Sequence, residues 1–127
     1  MTQKYLLPQE IELAFIVPAI RREYTSHLKS SGYDQHSIAK FLQVTDAAIS
    51  QYASGKRGNE LQFPKNILDE IHESADRLVS GKHIVTEMTT MLELMKQKGI
   101  TCAVHMEKAD LPTDCDLCQD QLIQIGG

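Results

Sequence analysis

Residues 34–58, DQHSIAKFLQVTDAAISQYASGKRG, form the stretch that decides the fold of this chain. Asp34 is a favoured N-cap residue, because its carboxylate can accept a backbone N–H from the first turn of a helix. After it, apolar residues recur at the spacing of a single helical face. The stretch therefore predicts a first short helix over residues 35–42, followed by a tight turn at residues 43–45.

A second short helix follows that turn at once. Thr45 is placed to cap it, and Gly55 is placed to end it, since glycine readily takes the left-handed conformation found just after a helix. Between them, Ile49 and Tyr52 form an inward face that can pack on the first helix. The sequence therefore predicts a second helix over residues 46–54.

The outward surface of the second helix is polar or small, and two basic residues follow the helix directly. Two helices joined by such a turn are the pattern of a helix-turn-helix, whose second helix faces base edges in the major groove of double-stranded DNA. Basic residues just after that helix lie where the phosphate backbone would pass. The predicted DNA-binding residues are Thr45, Asp46, Ala47, Ser50, Gln51, Ser54, Lys56 and Arg57.

The run IAKFLQVTDAAISQYASGKRG, residues 38–58, closely resembles the lambda-repressor-like (XRE) family of helix-turn-helix transcriptional regulators. The resemblance implies an all-α domain of that kind and a role in sequence-specific transcriptional regulation. One departure concerns the turn, where Gln43 stands at the position that the family usually gives to glycine. If this residue has a positive φ, its side chain costs about 1 kcal/mol, which a packed domain can absorb.

The net charge of −4 is unusual for a DNA-binding protein, but the charges are unevenly distributed. Residues 1–63 carry seven basic and six acidic side chains, whereas residues 64–127 carry six basic and eleven acidic ones. Contacts to phosphate depend on local basic clusters rather than on net charge. Because residues 1–63 carry a surplus of only one basic side chain, we expect modest non-specific affinity. No apolar run is long enough to cross a membrane and no signal-peptide pattern is visible, so a cytoplasmic location without a membrane partner is expected.

The rest of the chain predicts further helices. The first, over residues 9–30, contains Pro18, which should either kink one helix or separate two. Its expected buried face is Ile11, Leu13, Ala14, Phe15, Val17, Ile20, Tyr24 and Leu28. Helices are also expected over residues 64–80 and 83–98, and residues 100–104 could form a short extended segment.

The two later helices suggest a homodimer. Their apolar stripes are Ile67, Ile71 and Leu78, and then Ile84, Met88, Met91 and Met95. We expect more apolar surface here than one short domain can cover. One recognition helix also reads few base pairs, so paired half-sites are expected. The predicted organisation is a helix-turn-helix domain at residues 1–63, a helical dimerisation segment at 64–99 and a Cys/His tail at 100–127.

The tail has the ligand spacing of a metal site. It reads C-x2-H, nine residues, then C-x2-C, so a short loop joins two close pairs of ligands. Three thiolates and one imidazole would make a closed, structural Zn²⁺ site, and an iron–sulfur cluster is the alternative. A redox pair and unligated cysteines also stay open. The predicted metal ligands are Cys102, His105, Cys115 and Cys118.

The order of all these segments resembles a group of small predicted archaeal transcriptional regulators with a C-terminal Cys/His motif. The leading hypothesis is a dimeric, sequence-specific DNA-binding transcriptional regulator with a C-terminal metal site. The alternative is a metal- or redox-sensing interaction protein in which the helix-turn-helix mainly supports protein contacts. An enzyme is not expected, because the likeness of residues 105–118 to a zinc deaminase signature fails on spacing and no small-molecule substrate is evident.

Overall fold

The computed structural model describes residues 7–108, and within this range the regular secondary structure is all helical, with no strand. This confirms the predicted all-α class. The elements are α1 (Pro8–Ile11), a π-helical turn (Glu12–Ile16), α2 (Val17–Ser30), α3 (Gln35–Leu42), α4 (Asp46–Ala53), α5 (Lys65–Val79), α6 (Ile84–Gln97) and α7 (Ile100–Lys108). The extended segment expected at residues 100–104 is wrong: Ala103 N–H donates to Gly99 O at 3.0 Å, and this bond closes the first turn of α7.

A π-helical turn joins α1 to α2 just before Pro18. Val17 N–H donates to Glu12 O, five residues back instead of the usual four. Proline has no N–H, and its ring crowds the carbonyl four residues back in a regular helix, so a widened turn at this place accommodates it. The chain is therefore helical without interruption over residues 8–30, and Pro18 lies in the first turn of α2.

The widened turn changes which residues of the first helix are buried. Leu13 and Ala14 were expected in the buried face but are exposed, whereas Ile16 is fully buried. An α-helix advances about 100° per residue, so one extra residue in a turn rotates the segment before it by about that angle. This rotation brings Ile11 and Glu12 to the core side and moves Leu13 outward.

The central helix of the fold is α2. It packs against α4 and α5, while α3 packs on α4, α6 packs on α5, and α7 packs on both α6 and α1. One hydrophobic cluster runs through these contacts, from Ile11 in α1 to Val104 in α7. The core is therefore continuous across residue 63, where the sequence suggested a domain boundary.

Most residues in the apolar stripes of α5 and α6 are buried within the single chain. Ile67, Ile71, Leu78, Met91 and Met95 are each at most 3% exposed. Helical periodicity predicted which side of each helix is buried, but the helices that cover these residues belong to the same chain. Ile84 and Met88 stay half-buried. The chain itself therefore covers most of this apolar surface, and the homodimer stays a prediction.

A buried chain of hydrogen bonds ties α2, α5 and α6 together. Ser74 Oγ donates to Glu87 Oε1 at 2.7 Å, and Arg77 Nε donates to the same oxygen at 2.8 Å. Because the Ser74 proton is used in this way, Tyr24 Oη donates to Ser74 Oγ, 2.8 Å away. Tyr24 and Ser74 are fully buried and Glu87 is almost so, and burial raises the pKa of Tyr24 to about 12.

The pKa of Tyr24 predicts a loss of stability at alkaline pH. Well below pH 10 the phenol is protonated in both the folded and the unfolded chain. Between pH 10 and about 12 it ionises only in the unfolded chain, so the free energy of unfolding should fall by up to about 2.7 kcal/mol. Urea unfolding of the wild type and of Tyr24→Phe measures this, and the difference between the two should shrink over that interval. Parallel pH profiles would contradict the prediction.

Candidate nucleic-acid interface

Side-chain caps fix the start of both short helices, α3 and α4. Asp34 Oδ1 accepts the N–H of Ser37 at 2.8 Å, and Thr45 Oγ1 accepts the N–H of Ala48 at 3.1 Å. The hydrogen bond from the Ser37 backbone holds the pKa of the Asp34 carboxyl below its ordinary value. Both predicted caps are confirmed, and each satisfies a backbone N–H that the first turn of its helix would otherwise leave without a partner.

The turn between α3 and α4 depends on Gln43. Within residues 7–108 it is the only residue other than glycine with a positive φ, +55°. The turn is closed by Val44 N–H, which donates to Ala39 O at 3.1 Å. The side-chain amide of Gln43 also lies 3.1 Å from Nε2 of His83, the residue that caps α6. Glutamine therefore adds a contact between this turn and α6 that glycine could not make.

The end of α4 positions the two basic residues that follow it. Gly55 has φ +79°, and Lys56 N–H donates to Gln51 O at 2.9 Å in a left-handed helix termination. The predicted stop at Gly55 is thus confirmed, although α4 itself ends one residue earlier than expected, at Ala53. The Arg57 guanidinium lies 5.9 Å from the centre of the Tyr52 ring, within range of a cation–π contact.

The surface of α4 divides clearly into a buried side and an exposed side. Ile49 and Tyr52 are buried, as predicted. All of the residues predicted to bind DNA are exposed, namely Thr45, Asp46, Ala47, Ser50, Gln51, Ser54, Lys56 and Arg57. Several of these also have partners in the chain. The Thr45 hydroxyl caps α4, Asp46 Oδ2 lies 3.4 Å from Nδ1 of His36, and Ser54 Oγ donates to Gln51 O at 3.2 Å.

Two shallow grooves flank Tyr52, and α2 contributes at least one basic residue to each. One groove, of about 360 Å³, is lined by Arg22 and Lys29 together with residues at the end of α4. Arg22 is partly compensated there, because its Nη1 lies 2.8 Å from Glu23 Oε2. The other, of about 340 Å³, is lined by Arg21, Lys56 and Arg57 among others.

As adjacent basic residues on a helix, Arg21 and Arg22 fit either phosphate contacts or a solvated helix face, and no sequence pattern pointed to Lys29. Arg22 and Lys29 are seven residues apart, close to two helical turns, so helical spacing alone placed them on one face of α2. It could not show that this face lies beside the end of α4, because that depends on how the two helices pack.

The predicted metal ligands are only partly within the described chain. Cys102 and His105 lie on α7, three residues apart and therefore one turn apart, a spacing that suits two ligands of one ion. His105 is buried and Cys102 is half-buried. Cys115 and Cys118 fall outside the described residues. Within residues 7–108 no group of three or more potential ligands converges, so the zinc or iron–sulfur site stays a prediction.

Comparisons with protein-family models, with curated proteins and with solved structures found no match for the chain. The resemblance to XRE regulators therefore rests on the sequence of residues 38–58. Among residues 7–108 no helix is long and apolar enough to span a bilayer. What supports a function is the local geometry of α3, α4 and the basic residues around them.

Proposed function

We propose that this protein binds double-stranded DNA in a sequence-specific way and regulates transcription. The observation that supports the proposal most strongly is the exposed polar face of α4. This helix is capped by Thr45, terminated at Gly55 and held from behind by Ile49 and Tyr52, so its outer residues are presented on a rigid element. Lys56 and Arg57 follow where phosphates would lie beside a helix in the major groove.

The proposed bound form is a homodimer. The homodimer is supported by the small size of α4, which is eight residues long. One such helix contacts only a few base pairs, and related folds reach useful specificity by pairing half-sites about one helical turn of DNA apart. A metal held by the Cys/His tail would add a structural clip or a sensor, and this part of the proposal rests on ligand spacing in the sequence.

The base-reading part of the proposal is tested on a duplex selected from a random pool by the wild-type protein. Gln51→Ala should weaken binding to that duplex by about 1–3 kcal/mol, because glutamine can pair with two atoms of adenine. Binding to unrelated duplexes should change much less. Gln97→Ala, on the last turn of α6, is the control. An equal loss of affinity for the selected and the unrelated duplexes would show that Gln51 does not read bases.

The phosphate part is tested by the dependence of affinity on salt. Lys56→Ala and Arg57→Ala should each weaken binding to every sequence and reduce the magnitude of the slope of log K against log salt by roughly 0.9. Lys65→Ala removes a highly exposed lysine at the start of α5 and should leave the slope unchanged. Slopes that do not respond to Lys56→Ala or Arg57→Ala would show that these side chains do not touch phosphate.

A further inference from the structure

The outward side of the π-helical turn exposes apolar surface that the core does not use. Leu13 is 74% exposed, more than any other large hydrophobic residue within residues 7–108, and Ala14 beside it is also exposed. The widened turn produces this arrangement, because it rotates Leu13 away from the core. π-turns within helices are often found at functional sites, so the groove beside Leu13 is a candidate contact surface.

Leu13 and Ala14 form one wall of the groove of about 340 Å³ beside the end of α4. Arg21, Lys56 and Arg57 supply three cations to the same groove, and Glu60 is the only carboxylate among its lining residues. The groove therefore combines a small apolar wall with a net positive charge. It is also continuous with α4, since Tyr52 contributes to its lining.

We propose that this groove binds the sugar-phosphate backbone of duplex DNA next to the bases that α4 faces. This inference rests on the proposed function and extends its contact surface to the first helix. The cations pair with phosphates, and Leu13 packs on the apolar face of a deoxyribose. Contacts to phosphate and sugar fix the register of a protein on DNA without reading sequence, so this groove orients α4 in the major groove.

The charge of the groove favours DNA over a second copy of this chain. A second copy would have to offer an acidic, partly apolar surface, whereas every DNA strand offers phosphates and sugars in regular alternation. The position of the groove favours DNA as well, because Lys56 and Arg57 connect it directly to the end of α4.

The test substitutes Leu13, whose exposure makes it tolerant of change. Leu13→Asn should weaken binding to all duplexes about fourfold, the effect of losing roughly one methylene of buried apolar contact. The slope of log K against log salt should not change. Leu13→Lys adds a phosphate contact, so it should strengthen binding to all duplexes and increase the magnitude of the slope by roughly 0.9. A gain of this kind cannot come from misfolding. Val85→Asn, at a 64% exposed position on α6, is the matched control.

Arg21→Ala gives an independent measurement. It should reduce the magnitude of the slope of log K against log salt by roughly 0.9, and it should weaken binding to every sequence alike. If the wild type binds DNA and Gln51→Ala behaves as predicted, but the Leu13 and Arg21 variants match their controls, the groove is not a DNA contact and only this inference fails. If Leu13→Asn instead changes the sedimentation of free protein and not its DNA affinity, the groove is an interface between copies. If the wild type binds no duplex, the proposed function fails as well.

Discussion

A free energy of unfolding lower by about 2–5 kcal/mol is the expected result of Gly58→Ala. Gly58 has φ +74°, where a Cβ costs about 1–2 kcal/mol. A Cβ there would also overlap the carbonyl oxygen of Pro18 and lie 2.9 Å from Arg22 Cβ. Both of these atoms belong to α2, the central helix, and the Pro18 carbonyl is backbone that cannot turn aside. Such overpacking adds about 1–3 kcal/mol.

Gly55→Ala is the matched control for this prediction. Gly55 has nearly the same φ, +79°, but a Cβ there meets nothing within 4 Å. The free energy of unfolding of Gly55→Ala should fall only by the conformational cost of about 1–2 kcal/mol. Urea unfolding of both variants therefore separates the effect of backbone conformation from that of steric overlap. Equal losses in the two variants would show that the close approach of the loop to α2 adds nothing.

The features that were predicted from sequence are those decided by neighbouring residues. The caps at Asp34 and Thr45, the stop at Gly55 and the buried pair Ile49 and Tyr52 all depend on spacings of a few residues, and each is confirmed. The exposure of the α4 outer face follows from the same local periodicity. These elements are readable because a cap or a helical face is formed within the segment itself.

The burial errors arose where long-range packing or backbone register decides the outcome. A uniform helical period placed Leu13 in the core, but the π-turn before Pro18 shifts that period, and sequence periodicity does not show such a shift. Amphipathicity correctly marked Met91 and Met95 as buried but could not tell whether the same chain or another covers them. The groove that contains Arg21, Lys56 and Arg57 was missed as a unit for the same reason, since α2 and α4 meet there only in the folded chain.

Polar residues inside the core were also missed. Ser74 and Glu87 lie on the buried sides of α5 and α6, where hydrophobic periodicity predicts apolar residues. A pattern of apolar residues gives no reason to bury a carboxylate. The reason is found only in the partners that α2 and α5 supply.

Glu87→Ala is expected to lower the free energy of unfolding by about 3–4 kcal/mol. Glu87 Oε1 accepts hydrogen bonds from both Ser74 and Arg77. Removing it leaves the buried Ser74 hydroxyl without its acceptor and a guanidinium without its counter-charge, and loss of one partner of a buried ion pair costs about 3–5 kcal/mol. The lower part of that range applies, because the Arg77 side chain is 39% exposed and water can reach it.

Two further variants show whether the network itself causes that loss. Glu93→Ala removes a carboxylate of the same helix that is 61% exposed and lies 3.9 Å from Lys96 Nζ, so it should cost less than about 0.5 kcal/mol. Glu87→Gln keeps an acceptor of the same shape for Ser74 and Arg77 but removes the charge, and neutral hydrogen bonds are weaker than charged ones, so its cost should lie between the two. Urea unfolding at neutral pH orders the three variants. If Glu87→Ala proved as mild as Glu93→Ala, the hydrogen-bond chain from Tyr24 to Arg77 would not hold α2, α5 and α6 together.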